Sequence, residues 1–382
     1  MSNIPKLRFK EFSGEWEEKP LSQVAGMKAG KFVKASDISN NQEDKMYPCY
    51  GGNGVRGYVK SHTHNGTYPL IGRQGALCGN IQLASGKFHA TEHAVVVTPT
   101  DKNDILWLYY ELDRLNLNRF ATGQAQPGLS VEVIQQVKTN IPLKQEQEKI
   151  ASFLTSVDTK IEQLTKKECL LQQYKKGVMQ KIFNQEIRFK ADDGSEFCDW
   201  EETSLRKIFK ERKLYATKAD SYEHISLTTE GVVPKSERYE RDFLVSDDSV
   251  KKYKVTKLDD ICYNPANLKF GVIARNKYTD AIFSPIYVTF EVVNADINFI
   301  EYFVTRLDFI NKVRKYEEGT VYERQAVKPE DFLKFSISIP SMEEQTKIAN
   351  FLSSIDSKIE QVQKQLASTK EFKKALLQQM FV

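Results

Sequence analysis

Residues 141–183 read IPLKQEQEKIASFLTSVDTKIEQLTKKECLLQQYKKGVMQKIF, and residues 339–381 read IPSMEEQTKIANFLSSIDSKIEQVQKQLASTKEFKKALLQQMF. The two stretches lie 198 positions apart, align without a gap and agree at 20 of 43 positions. The chain is therefore an internal duplication, and a repeat of this kind constrains the architecture before any local signal does.

Both copies carry a helical seam. In the first, Ile150, Leu154, Val157, Ile161, Leu164, Leu171, Val178 and Ile182 follow alternating steps of three and four, with Glu168 and Lys175 at the two remaining seam positions. The second gives Ile348, Leu352, Ile355, Ile359, Val362, Leu366, Thr369, Leu376 and Met380, with Lys373 in the place of Lys175. A seven-residue period held over about five heptads is a coiled-coil seam. Pro142 and Pro340 block helix upstream, and Glu146, Glu148, Glu343 and Glu344 fill the first turn, where the helix dipole favours acid. Self-similar seams suit pairing with each other, and the expected seam positions are Ile150, Leu154, Val157, Ile161 and Leu164 on the first helix and Ile348, Leu352, Ile355, Ile359 and Val362 on the second. Each helix would be about 55–60 Å long.

A weaker repeat precedes each variable region. Leu7-Arg8-Phe9-Lys10, then Trp16-Glu17-Glu18 and Leu21, is answered by Ile187-Arg188-Phe189-Lys190, then Trp200-Glu201-Glu202 and Leu205. Antiparallel pairing of the helices would put the two variable regions at opposite ends, related by a pseudo-twofold axis. Each lead-in would then follow a helix end in space, one through the chain and one across its termini. Residues 22–120 and 206–318 share little, so a common frame carries two different inserts. Both inserts hold β-branched and aromatic runs bounded by Gly, Pro and Asn, such as Tyr68 to Gly72, His89 to Thr98 and Ile286 to Val292. Helical patterns follow at Ile105 to Leu117 and Asn298 to Tyr316. The expected fold is α+β: two mixed, mostly β globules joined by two long antiparallel coiled-coil helices. The expected segments are 1–140, the helix 141–184, a second lead-in and globule over 185–338, and the helix 339–382.

Composition narrows the class. Hydrophobic residues make up 40% and charged residues 28% of 382, enough for ordinary cores and too apolar for a disordered chain. Lys and Arg number 55 against 51 Asp and Glu, a balance that by itself does not mark a nucleic-acid binder. No run approaches the roughly 20 apolar residues of a membrane span, and Met1-Ser2-Asn3-Ile4-Pro5-Lys6 lacks a signal-peptide core, which points to the cytoplasm and no membrane contact. The five cysteines, Cys49, Cys78, Cys169, Cys198 and Cys262, are odd in number and far apart, and read as reduced thiols.

Catalytic motifs are lookalikes. His89-Ala90-Thr91-Glu92-His93 fits H-x-x-E-H, but its flank Ala94-Val95-Val96-Val97 is strand-like, and two histidines four apart share a face only on a helix. Tyr263-Asn264-Pro265-Ala266 lacks the second proline and the aromatic of an N-P-P-[FY] base-gripping loop. No phosphate loop and no G-x-S-x-G elbow occurs. The chain is expected to bind no cofactor or metal of its own.

The inserts do offer polar and aromatic loops with glycines that permit close approach. Asn53, Arg56, Arg73, Gln74, Gln124 and Gln126 in the first, and Lys251, Lys252, Lys254, Asn267, Lys269, Arg275, Tyr322, Arg324 and Gln325 in the second, are candidate DNA contacts. Arg pairs bidentately with guanine, Asn and Gln with adenine, and Lys with phosphate.

Taken whole, the chain resembles the specificity (S) subunit of type I restriction-modification systems. The duplicated I-P…E-Q…K-I-A…F-L…D…K-I segments at Ile141 and Ile339 and the R-F…W-E lead-ins carry the resemblance. Tyr47-Pro48…Tyr50-Gly51-Gly52-Asn53-Gly54 and Ser284-Pro285…Tyr287 add to it. It implies that each variable region is a target recognition domain reading one half of an asymmetric bipartite site on double-stranded DNA. It also implies that the paired helices fix the half-site spacing and dock two methyltransferase subunits, which a restriction or translocase subunit can join. S-adenosylmethionine, ATP and Mg would belong to those partners. Two other classes share this outline: a subunit whose partner fuses methylation with cleavage, and a coiled-coil adaptor that binds proteins through its globules.

Overall fold

The computed structural model describes residues 3–123, 127–217, 221–235, 252–316 and 326–382. It divides into two compact units, Met1–Cys169 with Gln361–Val382, and Leu170–Glu360, so each unit takes a part of both long helices.

Unit 1 begins with β1 (Glu17–Pro20), the short helix α1 (Leu21–Val24) and β2 (Ala25–Ala29). β3 (Tyr47–Gly51), β4 (Gly54–Val59), β5 (His64–Asn65), β6 (Tyr68–Gly72), β7 (Ile81–Ala84), β8 (Lys87–Ala90) and β9 (Ala94–Pro99) follow. The chain turns into α2 (Ile105–Arg114) and α3 (Val131–Gln136), returns as β10 (Lys138–Ile141) and continues into α4 (Lys144–Phe183). Among the described residues the strands form an antiparallel sheet β2-β9-β6-β7 and a mixed sheet β4-β3-β8-β5 in which β3 and β8 are parallel. β9 lies inside its sheet, and Ala94 through Val97 are all buried, as a strand covered on both faces requires. β1 pairs antiparallel with β10, Glu17 opposite Ile141.

Unit 2 runs β11 (Glu201–Ser204), β12 (Phe209–Glu211), β13 (Tyr215–Ala216), β14 (Glu223–Thr228), β15 (Gly231–Pro234), β16 (Tyr253–Thr256), β17 (Ile261–Tyr263), β18 (Ile273–Arg275), β19 (Ala281–Phe283) and β20 (Val288–Val292). It continues with α5 (Ile297–Val304), α6 (Leu307–Val313), α7 (Pro329–Lys334), β21 (Ser336–Ile339) and α8 (Met342–Gln379). Its sheets are β12-β20-β17-β18 and β13-β16-β19-β14-β15, and β11 pairs with β21 as β1 does with β10.

Ile141 and Ile339 close the strands β10 and β21 rather than opening the helices, because the prolines that follow them cannot continue helix from an extended residue. The helical pattern expected over Asn298 to Tyr316 is broken in two at Thr305 and Arg306. Arg306 adopts an extended backbone there, and its guanidinium lies 4.1 and 4.4 Å from the ring centroids of Phe183 and Phe303.

The long helices enter both cores. In unit 1, Ile150, Leu154 and Val157 of α4 share a core with Leu376 of α8, with Met380 and Phe381 just past its end, and with Trp16 and Trp107. In unit 2, Val178 and Ile182 of α4 meet Ile348, Leu352 and Ile355 of α8 around Phe290 and Phe299. The early turns of one helix thus pack with the late turns of the other, which is antiparallel pairing. Of the ten expected pairing positions, Ile161 is half-buried and the others are buried. No helix among the described residues is long and apolar enough to cross a membrane.

Candidate nucleic-acid interface

The repeated polar residues build one frame twice. Arg8 in the first lead-in donates through Nε and an Nη to both oxygens of Glu146, each at 2.8 Å, and Arg188 does the same to Glu344 at 2.8 and 2.9 Å. The carboxylates are fully buried, so the planar guanidinium fork supplies the charge and the bidentate geometry that burial demands. Next to them, Gln147 accepts from the backbone N–H of Asp104 and donates to the Pro142 carbonyl, while Gln345 accepts from Asp296 and donates to Pro340. Asp104 and Asp296 are themselves the N-caps of α2 and α5. The E-Q pair of each long helix therefore anchors a lead-in with its acid and a globule helix with its amide.

On this frame unit 1 holds an open groove of about 370 Å³, lined by Gly52, Asn53, Gly54, Val55, Arg56, Gln74, Gly75 and His93. Three sequence candidates meet here from different elements. Asn53 sits in the β3–β4 turn, Arg56 on β4 and Gln74 after β6. The approach depends on glycine: a Cβ on Gly72 would collide with the Gly52 carbonyl. Asn53 Oδ1 accepts from Asn80 at 3.1 Å, which leaves its amide donors directed elsewhere. The stem of Arg56 lies against Gly51, and its exposed guanidinium has no hydrogen-bond or ion-pair partner among the described residues. Arg8 and Arg114, by contrast, are paired with buried carboxylates. Arg73 stands beside the groove, half-buried, with Nε buried and without a hydrogen-bond partner among the described residues. Gln124 and Gln126 lie outside the described residues.

The described candidates of unit 2 have differing surroundings. Lys254 is a correction: it lies on β16 with only 2% of its surface exposed, its ammonium 3.5 Å from Glu211 and 5.1 Å from the Tyr215 ring centroid. A lysine so enclosed has no free charge to offer a phosphate. Arg275 is a second correction, since it bonds Asp259 at 2.8 and 2.6 Å, Asn298 at 2.7 Å and Glu301 at 3.4 Å. Lys252 and Asn267 are exposed, and Lys269 is half-buried with its ammonium 5.3 Å from the Phe270 ring centroid. Lys251, Tyr322, Arg324 and Gln325 lie outside the described residues.

The sequence profile of the type I restriction modification DNA specificity domain matches this chain twice, over residues 13–172 and 199–369. The chain belongs to that family. A stretch of 160 residues is 45% identical to the type I restriction enzyme EcoprrI specificity subunit of Escherichia coli, covering 42% of this chain and 40% of that protein. The chain thus spans about two fifths of the length of that relative. The type I restriction enzyme MjaVIII specificity subunit of Methanocaldococcus jannaschii is 24% identical over 302 residues, 72% of this chain and 68% of its own. The crystal structure of the type I restriction-modification system S subunit from M. genitalium superposes with a TM-score of 0.66 at 16% identity, covering 99% of both chains, and shares the fold.

Within the specificity-domain fold the catalytic lookalikes fall into structural roles. His89 lies on β8 with its Nε2 3.0 Å from the Lys31 carbonyl oxygen, while His93 leaves the sheet for the groove and contacts Glu92 at 3.1 Å. No cluster of His, Cys, Asp or Glu able to hold a metal occurs among the described residues. The Asn264 carboxamide caps its own loop by accepting from the backbone of Ala266 and Asn267. Cys262 is buried, and burial pushes its thiol up to about 12. Sequence reading missed His93 and Val55 as groove residues. The signal for His93 was the turn after Thr91, where the β-branched run has not yet begun.

Proposed function

We propose that the chain is the non-catalytic DNA-reading subunit of a type I restriction-modification complex. Each globule reads one half of an asymmetric bipartite site, and the helix pair sets the spacing and docks two methyltransferase subunits. S-adenosylmethionine, ATP and Mg are held by those partners and by any restriction subunit that joins, and the complex works on DNA in the cytoplasm.

One observation carries the reading for the first globule: the fork of Arg56, unpaired among the described residues, sits in the same groove as the amides of Asn53 and Gln74. These are the donors and acceptors that distinguish guanine and adenine edges in the major groove, each good pair giving about 1–3 kcal/mol of discrimination. The half-buried Arg73 and Lys269 and the exposed Lys252 and Asn267 are proposed as further contacts.

The test is the methylated motif of a host that expresses the chain with its methyltransferase partner. Arg56→Ala should weaken methylation roughly 5- to 150-fold or relax one position of a single half-site, the range that follows from about 1–3 kcal/mol. An unaltered motif and rate would remove Arg56 from base reading.

A further inference from the structure

The heptad pattern leaves two lysines, Lys175 and Lys373, at seam positions. A lysine there weakens a coiled coil unless the facing helix supplies a partner, and one polar seam residue is what distinguishes a register from its neighbours. Apolar seams alone repeat every heptad, about 10.5 Å along the axis, and tolerate slipping.

Each lysine finds a three-way joint. In unit 1, Lys373 of α8 pairs with Asp158 Oδ1 of α4 at 2.7 Å, and Tyr110 of α2 donates its hydroxyl to Asp158 Oδ2 at 2.8 Å. The Lys373 ammonium also lies 5.3 Å from the Tyr110 ring centroid. In unit 2 the helices exchange roles: Lys175 of α4 pairs with Asp356 Oδ1 of α8 at 2.5 Å, Tyr302 of α5 donates to Asp356 Oδ2 at 2.6 Å, and Lys175 lies 5.0 Å from the Tyr302 ring centroid. Burial pushes both phenols well above their ordinary value, so each remains a hydrogen-bond donor at physiological pH. The four residues on the long helices are exchanged by the 198-residue repeat, but the tyrosines come from inserts that have otherwise diverged.

We propose that Asp158 and Asp356 are positioning residues that lock each recognition globule to both long helices at one height, and thereby fix the number of unread base pairs between the half-sites. The proposal rests on the bipartite reading above. Its physical content is that each carboxylate, standing on one long helix, bonds the other long helix and the globule helix at once. Its two oxygens take the globule's tyrosine and the opposite helix's lysine, so a shift of either partner breaks one contact. One base pair is a rise of about 3.4 Å, more than these contacts stretch.

The experiment is methylome sequencing of the assembled complex carrying Asp158→Ala, Asp356→Ala, Lys373→Met, Tyr110→Phe or Tyr302→Phe, and the exchange Asp158→Lys with Lys373→Asp. The single variants should methylate sites with the gap altered by one base pair, at a tenth or more of the native frequency, with both half-sites unchanged. The exchanged pair should return selectivity toward one gap. A single native gap in all of them overturns the proposal, even if their melting temperatures fall, because the joints would then serve stability alone. The two Tyr→Phe variants keep the ring packing and carry the test if the alanine variants do not assemble. If the unmodified complex methylates no bipartite site, the reading beneath the proposal fails instead.

Discussion

The backbone N–H of Leu7 donates to the carbonyl of Gln379 at 2.8 Å, joining the first lead-in to the last turn of α8. Its counterpart in unit 2 is the bond from Ile187 to Lys181, 3.3 Å long and made within continuous chain. Gln379 and Lys181 are 198 positions apart, so unit 1 closes through space the connection that unit 2 makes through sequence.

Phe381 should therefore matter to unit 1 as Phe183 does to unit 2. Phe381 packs edge-on to Trp16 and stacks on Trp107, while Phe183 meets Trp200 and Phe299. Phe381→Ala should lower the stability of unit 1 by about 3–5 kcal/mol, the usual loss for a buried phenyl ring. Urea titration followed by tryptophan fluorescence in a Trp200→Phe background reports unit 1 alone. An unchanged midpoint would mean that the closure is incidental.

Arg8→Ala should be about as damaging for a different reason. It strands the buried Glu146 carboxylate, and an uncompensated buried charge costs about 3–5 kcal/mol. Removing both charges together, with Arg8→Met and Glu146→Gln, should cost less than Arg8→Ala alone. Urea denaturation midpoints of the two variants check this, and a double variant no more stable than Arg8→Ala would argue that Arg8 acts by packing.

Glu111 predicts a pH dependence of stability. It is completely buried beside Arg114 and Thr139, and burial pushes its carboxyl above the ordinary value of 4.5 despite the guanidinium. The folded chain therefore holds this proton more tightly than the unfolded chain, and this group's contribution to stability falls as pH rises from 4.5 through the raised value. Glu111→Gln lacks that titration, so its stability relative to the parent should improve between pH 5 and pH 8. A constant difference across that range would contradict the sign.

Arg275→Ala should separate structure from recognition. Its bonds to Asp259, Asn298 and Glu301 hold β18 to α5, and losing them should cost about 1–3 kcal/mol. The methylated motif should stay the same. A change in the second half-site would return Arg275 to the list of DNA contacts.

The frame was legible because the duplication let the chain be compared with itself. The seam from Ile150 to Leu164 needed only its period, and the Arg8 and Arg188 lead-ins stood out because they recur. The groove was half legible: glycine-rich turns around Asn53 and Gln74 mark surface loops, but their convergence depends on β3 and β6 lying in different sheets. Lys254 and Arg275 were misread for one reason. A basic residue in a polar stretch looks solvated until its partners are known, and Glu211, Asp259 and Glu301 lie 43, 16 and 26 positions away from them. Local sequence carries no trace of those pairings.

The pairing of β1 with β10, and of β11 with β21, has an evolutionary consequence. Each clasp holds the first and last residues of a variable region about one strand spacing apart, ~4.8 Å. The entropy of closing a loop between fixed ends grows only with the logarithm of its length. A different insert, longer or shorter, can therefore hang from the same clasp without disturbing the Arg8–Glu146 pair, as long as it renews the bonds that Asp104 and Tyr110 make to Gln147 and Asp158. The clasps turn a change of specificity into a replacement confined to one side of a joint, and the two inserts can diverge independently on one backbone.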